Sequence, residues 1–293
     1  MTGWKWVLAV VCGLHALDAS AGWLDEVGVE LRNDDNLTRA QLAQDIKGDT
    51  ALVVSASAGT GYQLTDNSRL TLTLMLSGAA YQRYDGLNNL NAGLELAYRW
   101  KFGLGPFVPE LRLSGSAARL EYRDAARDGW LYVGEIGVAK RLSDRAGLRV
   151  AYQVEQRKSD SVAERLAGLP PEIAANVFDL RSHNLSFGGD YSLDSDYVLV
   201  AAYTLRRGDI VSTTLRNLPI FLASSAIAAD PVFGPERYAY TMQALTRGLS
   251  LGVTRVIGRQ ASVTLGYEHL DSRAEGGIDY QSNLVRVTYL HQF

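Results

Sequence analysis

The links between the strand-like stretches of this chain alternate between tight and long, and that alternation constrains the fold more than any motif does. Apolar residues recur at every second position through most of the chain, the period of a strand with one apolar face. Val27, Val29 and Leu31 mark a first strand, Leu52, Val54, Ala56 and Ala58 a second, and Leu70, Leu72, Leu74 and Leu76 a third. Leu90 to Phe102, Phe107 to about Tyr122, Trp130 to Leu142 and Ala146 to about Arg157 follow. Leu185, Phe187 and Tyr191 mark the eighth, and Leu199, Ala201, Tyr203 and Leu205 the ninth. Tyr238 to about Val256 is the tenth, Ala261 to Tyr267 the eleventh and Asn283 to Phe293 the last. Thr65–Ser68, Gly103–Pro106, Ser143–Arg145, Asp194–Asp196 and Ile257–Arg259 are tight links carrying the Gly, Asn, Asp and Ser of hairpin turns. Residues 33–50, 82–89, 123–129, 158–182, 207–237 and 271–278 are mostly longer. This pattern predicts an all-β fold, a transmembrane up-and-down antiparallel barrel of about 12 strands with short turns on one rim and longer loops on the other. A soluble sandwich would use strands of about 5 to 6 residues and has no reason to alternate its loops.

The first 21 residues read as a cleaved signal peptide. Lys5 precedes an apolar run, Val7 to Leu17, and Ala19-Ser20-Ala21 places small residues where signal peptidase needs them. The run is shorter than the roughly 20 apolar residues of a membrane-spanning helix. The expected organisation is therefore a signal peptide, 1–21, and one barrel domain, 22–293. The chain's single cysteine, Cys12, falls in the signal segment, so neither a disulfide nor a thiolate metal site is expected in the mature protein. A net charge of −3 leaves no basic excess for nucleic acid.

The last strand carries Val285, Val287, Tyr289 and Phe293 on one face, with His291 between the last two. It resembles the closing strand of bacterial outer-membrane β-barrels of the porin-like superfamily, apart from His291, which stands where an apolar residue is usual. The resemblance implies residence in the outer membrane of a Gram-negative bacterium, in contact with its lipids. It also implies recognition of Val285, Val287, Tyr289 and Phe293 by the barrel-assembly machinery.

Strand parity turns charged residues of both signs toward the lumen: Arg69, Glu95, Arg99, Glu110, Arg112, Glu135, Arg149, Glu155, Glu268 and Arg286, with Glu30, Arg32, Lys101, Arg141, Arg157, Asp190 and Arg206 on the same side. A turn at Gly103–Pro106 would set Arg99 across from Glu110 as a neutralising pair. Barrels of about 8 strands are filled by side chains and those of about 16 to 18 hold an aqueous channel, so 12 strands leave the state of the lumen open. The loop 207–237 is unusually apolar, with Leu218 to Ala223 and Ala226 to Ala229. It is expected to fold into or across the mouth and narrow it, joined by a short helix at Val162 to Leu169; a cap resting on the rim is the alternative.

No motif for chemistry emerges. An outer-membrane phospholipase is similar only in strand number, because its catalytic His and Ser stand two apart on one strand and no His-x-Ser pair exists around His183, His269 or His291. Asn33-Asp34-Asp35-Asn36 offers oxygen ligands but lacks the spaced Glu and loop Gly of a calcium loop, and reads as a turn. No catalytic residue, cofactor or metal is assigned. The expectation is a monomeric, narrow, porin-like channel for passive diffusion of small polar solutes or ions. A non-conducting structural or partner-binding barrel is the alternative, and an outer-membrane enzyme is least favoured.

Overall fold

The computed structural model describes residues 25–160 and 176–293. The signal segment, Trp23 and the helix expected at Val162 to Leu169 lie outside the described residues. One antiparallel sheet contains β1 (Glu26–Asp34), β2 (Asp49–Thr65), β3 (Ser68–Tyr81), β4 (Asn89–Lys101), β5 (Glu110–Tyr122), β6 (Gly129–Arg141), β7 (Ala146–Ser159), β8 (Leu180–Ser192), β9 (Tyr197–Thr214), β10 (Ala226–Ala229), β11 (Tyr238–Ile257), β12 (Ala261–Ala274) and β13 (Ile278–Gln292). Each wall strand pairs with its neighbours, and β1 pairs with β13 through Val29↔Tyr289, so the sheet closes on itself. β9 pairs directly with β11, Thr204↔Gly248, while four-residue β10 lies only along the outer end of β11. The wall thus holds the 12 strands expected, and the thirteenth belongs to the long loop.

The reason for closure lies on the outer face. Leu72, Leu74, Leu76, Leu94, Leu96, Ile136, Val138, Leu148, Val150, Leu249, Leu251, Leu265, Val285 and Val287 all stand exposed and point out of the wall. Burial of apolar area is worth about 25 cal/mol per Å², so such a belt is stable only against hydrocarbon. In hydrocarbon every backbone N–H and C=O must pair within the protein, which a closed antiparallel ladder achieves without an edge. Trp100 and Phe102, with ring centroids 4.5 Å apart, and Phe107 and Tyr197 ring the tight-turn end, whereas Trp130 stacks on Tyr132 toward the other rim.

Two local differences from the expected pattern matter. The tenth wall strand, whose register the repeat of apolar residues left open, is fixed by Leu249↔Tyr203 and Leu249↔His269. The β4–β5 link takes residues 102–109 rather than 103–106, because Pro109 has no N–H for the ladder and instead accepts from Phe102 N at 3.0 Å. The register therefore pairs Lys101 with Glu110 and Arg99 with Arg112, and the expected Arg99–Glu110 pair does not form.

Candidate solute pathway

The lumen is lined largely by small residues. Ser55, Ser57 and Gly59 on β2, Thr71, Thr73 and Ser77 on β3, Ser114 and Ser116 on β5 and Ser250, Gly252 and Thr254 on β11 share the inner face. By register, Arg69, Glu95, Arg99, Glu110, Arg112, Glu135, Arg149, Glu155, Glu268 and Arg286 share the side of the wall that carries these small residues. Three pairs form among them: Arg112 donates to Glu95 at 2.6 Å, Arg149 to Glu135 at 2.5 Å, and Arg286 to Glu268. Arg112 and Glu95 keep 27% and 25% of their side-chain surface, so water reaches the pair. Mutual neutralisation holds for these six, while Arg69, Arg99, Glu110 and Glu155 form no ion pair among the described residues.

Above the wall, the long loop builds a cap. β9 loses its β8 partner at Gly208, whose φ of +152° suits glycine and whose added Cβ would sit 2.2 Å from Arg181 O. β9 and β11 continue as a free hairpin, Ile210↔Met242 to Thr214↔Tyr238. A short helix, α1 (Leu218–Ala223), folds back from it, opened by Asn217, whose Oδ1 accepts from Ile220 N, and by Pro219 in the first turn. Ile210, Ile220, Ile227, Tyr240, Met242, Ile278 and Tyr280 bury one another beneath α1; Val177, Phe178, Ala226, Ala228 and Ala239 form a second cluster. The apolar run noted in the sequence is thus a small hydrophobic core.

This cap is tied to every other outer link. Thr213 N donates to Thr38 O at 2.8 Å and Arg237 pairs with Asp45 at 2.9 Å, both on the β1–β2 link. Phe233 packs on Tyr84 of the β3–β4 link, with centroids 4.9 Å apart. Asp230 receives Arg127 Nη2 of the β5–β6 link on both oxygens at 2.7 Å, and Thr213 Oγ1 at 2.7 Å. Thr241 Oγ1 donates to Val177 O of the β7–β8 link at 2.7 Å, and α1 packs on the β12–β13 turn beside Gly276. A loop that touches links all around a ring lies over its centre. Beneath it is a cavity of about 460 Å³, lined on its polar side by Arg39, Glu155, Arg157, Arg206, Asp209 and Glu268. Arg157 stands between the rings of Tyr122 and Phe178, 5.1 and 5.6 Å away, and donates to Arg127 O at 2.5 Å. Neither the Arg157 contacts nor the Arg127–Asp230 latch carries a sequence signal, because the first join the ends of β5 and β7 to Phe178 and the second joins two separate links.

The remaining candidates lie elsewhere. His183 and His269 face outward, their Nδ1 atoms meeting Tyr152 Oη at 2.7 Å and Asn283 Oδ1 at 2.9 Å, and His291 packs edge-on against Phe293. Asp34 accepts from Asn36 N and Ser282 Oγ, and both Asp35 oxygens accept from Asn283, so this run closes a turn onto β13. Val285, Val287 and Tyr289 face outward on β13, and Phe293 follows its end.

No protein-family model matches the chain, and no curated protein matches it in sequence. Among solved structures, an outer membrane channel from Pseudomonas putida F1 superposes with a TM-score of 0.56 at 12% identity, over 94% of this chain and 100% of that one. The chain shares that channel's fold, a closed antiparallel β-barrel. Looser likenesses include a NanC porin, with a TM-score of 0.48 at 10% identity over 90% of this chain and 100% of that one. The CymD monoaromatic hydrocarbon channel gives 0.47 at 10% identity over 93% and 88%. The barrel thus has a polar lumen and a cap across one mouth.

Proposed function

We propose that this barrel is a narrow, porin-like channel through which small polar solutes or ions diffuse passively, with the loop 207–237 restricting entry. The observation that carries the reading is a lumen lined by Ser, Thr and Gly, whose charged pairs keep contact with water beneath the cap. A wall built of small hydroxylic residues leaves space that bulkier side chains would fill. In this reading one chain forms one pore, no residue performs chemistry, and Val285, Val287, Tyr289 and Phe293 serve as the segment read by the assembly machinery.

The non-conducting alternative has one observation in its favour. Leu218 and Leu222 stand 68% and 73% exposed on the upper side of α1, a surface a partner could cover. Planar-bilayer recording of the refolded protein separates the two. Steady, salt-dependent conductance that grows when residues 218–229 are replaced by a short Gly-Ser link supports the channel. A folded, heat-modifiable barrel that stays silent with and without the cap supports the scaffold.

A further inference from the structure

The β4–β5 register brings like charges together. Arg69 pairs in register with Arg99, and Arg99 with Arg112, so three arginines stand side by side on adjacent strands at one depth near the tight-turn rim. Directly opposed like charges destabilise a sheet, yet only Arg112 has a carboxylate, Glu95 at 2.6 Å. Arg69 and Arg99 are exposed, and their side chains make no ion pair or hydrogen bond among the described residues. The nearest inward carboxylate in register is Glu110, one row nearer the rim and opposite Lys101. The wall also makes room for the row: a Cβ on Gly61 would meet Arg69 Nη2 at 2.2 Å, so the guanidinium lies where only glycine admits it.

Unpaired guanidinium groups in a narrow lumen with a low-dielectric wall focus a positive potential on whatever passes. Their planar forks match the paired oxygens of carboxylate or phosphate. We propose that Arg69, Arg99 and Arg112 form an anion-selective row that receives the oxyanion of a small organic solute in transit. The proposal rests on the channel reading above and adds the charge class of the solute.

The test is the reversal potential of the refolded mature protein under a potassium chloride gradient, with sodium gluconate and inorganic phosphate as added probes. Expected is a chloride-to-potassium permeability ratio above one, with conductance depressed by gluconate, by phosphate or by both, the stronger of the two naming the oxyanion preferred. Arg69→Gln with Arg99→Gln, which disturbs no ion pair, should bring the ratio to unity and abolish the depression, while Arg69→Lys with Arg99→Lys should keep the ratio above one. A conducting protein that lacks anion preference, or whose preference survives the glutamines, overturns the arginine row and leaves the channel standing. A folded barrel that is silent with and without its cap overturns both.

Discussion

Asp230→Ala is the perturbation that most directly tests how the cap is held. Asp230 is almost wholly buried, accepts Arg127 Nη2 on both oxygens and receives the Thr213 hydroxyl. Removing one member of a buried ion pair costs about 3–5 kcal/mol when the other charge is left without compensation; Arg127 keeps Asp124 at 3.2 Å, which puts the loss at the lower end, about 3 kcal/mol. The lost hydroxyl bond adds about 1 kcal/mol. Asp230 belongs to no wall strand, so this loss falls on the closed cap and not on the ladder. At about 1.4 kcal/mol per factor of ten, a loss of about 3 to 4 kcal/mol should raise the open population by about 10² to 10³. Limited proteolysis of the detergent-folded barrel reads that population when opening and closing outpace cleavage. Cleavage within 215–237 should accelerate correspondingly, while the heat-modifiable mobility of the barrel stays unchanged. Arg127→Met with Asp230→Ala removes both charges and fills the space over Phe178, where the guanidinium carbon stands 4.3 Å from the ring, so it should restore most of the protection. A single variant cleaved at the wild-type rate, or a double variant as sensitive as the single one, would refute the latch.

Three further outcomes follow from the same geometry. Leu74 and Thr73 are adjacent on β3 and point to opposite faces; Leu74→Arg should destabilise the folded barrel in lipid by about 2–4 kcal/mol and Thr73→Arg by far less, read as shifts in the urea midpoint. Replacing 218–229 with a Gly-Ser link should raise single-channel conductance, and an unchanged value would show that the cap is not the constriction. Gly61→Ala should displace the flexible Arg69 side chain and weaken anion preference with little change in thermal stability; a large loss of stability would show that Gly61 supports the wall itself.

The wall was legible because its two signals are local. Alternation at Leu70, Leu72, Leu74 and Leu76 reports which face meets lipid, and Asp66-Asn67 or Gly258 reports where the chain reverses. Parity then follows residue by residue, and Arg112 meets Glu95 and Arg149 meets Glu135 from adjacent strands. Partner choice across a turn is another matter. Gly103–Pro106 supplies the Gly and Pro of an ordinary turn, but Pro109 further along lengthens the link to 102–109, and that change removes the Arg99–Glu110 pair. The cap was legible only as an apolar excess. That Asp230 meets Arg127 depends on segments 103 residues apart in the chain meeting over the mouth.

The placement of hydrophobic burial bears on how the cap would open. A membrane barrel turns its apolar side chains to lipid and its polar ones to the lumen, so its wall has no interior core and is held by the strand ladder. Here the fully buried apolar residues gather instead in the cap, with Ile210, Ile220 and Met242 in one cluster and Val177 in the other. The cap meets the outer links through side-chain pairs such as Arg127–Asp230 and Arg237–Asp45, and its free hairpin leaves the wall at Gly208. Core and ladder meet through these pairs and through Ile278 and Tyr280, which β13 contributes to the first cluster. Opening would break those joining pairs while leaving the wall's hydrogen bonds intact, which keeps its free energy well below that of unfolding the barrel.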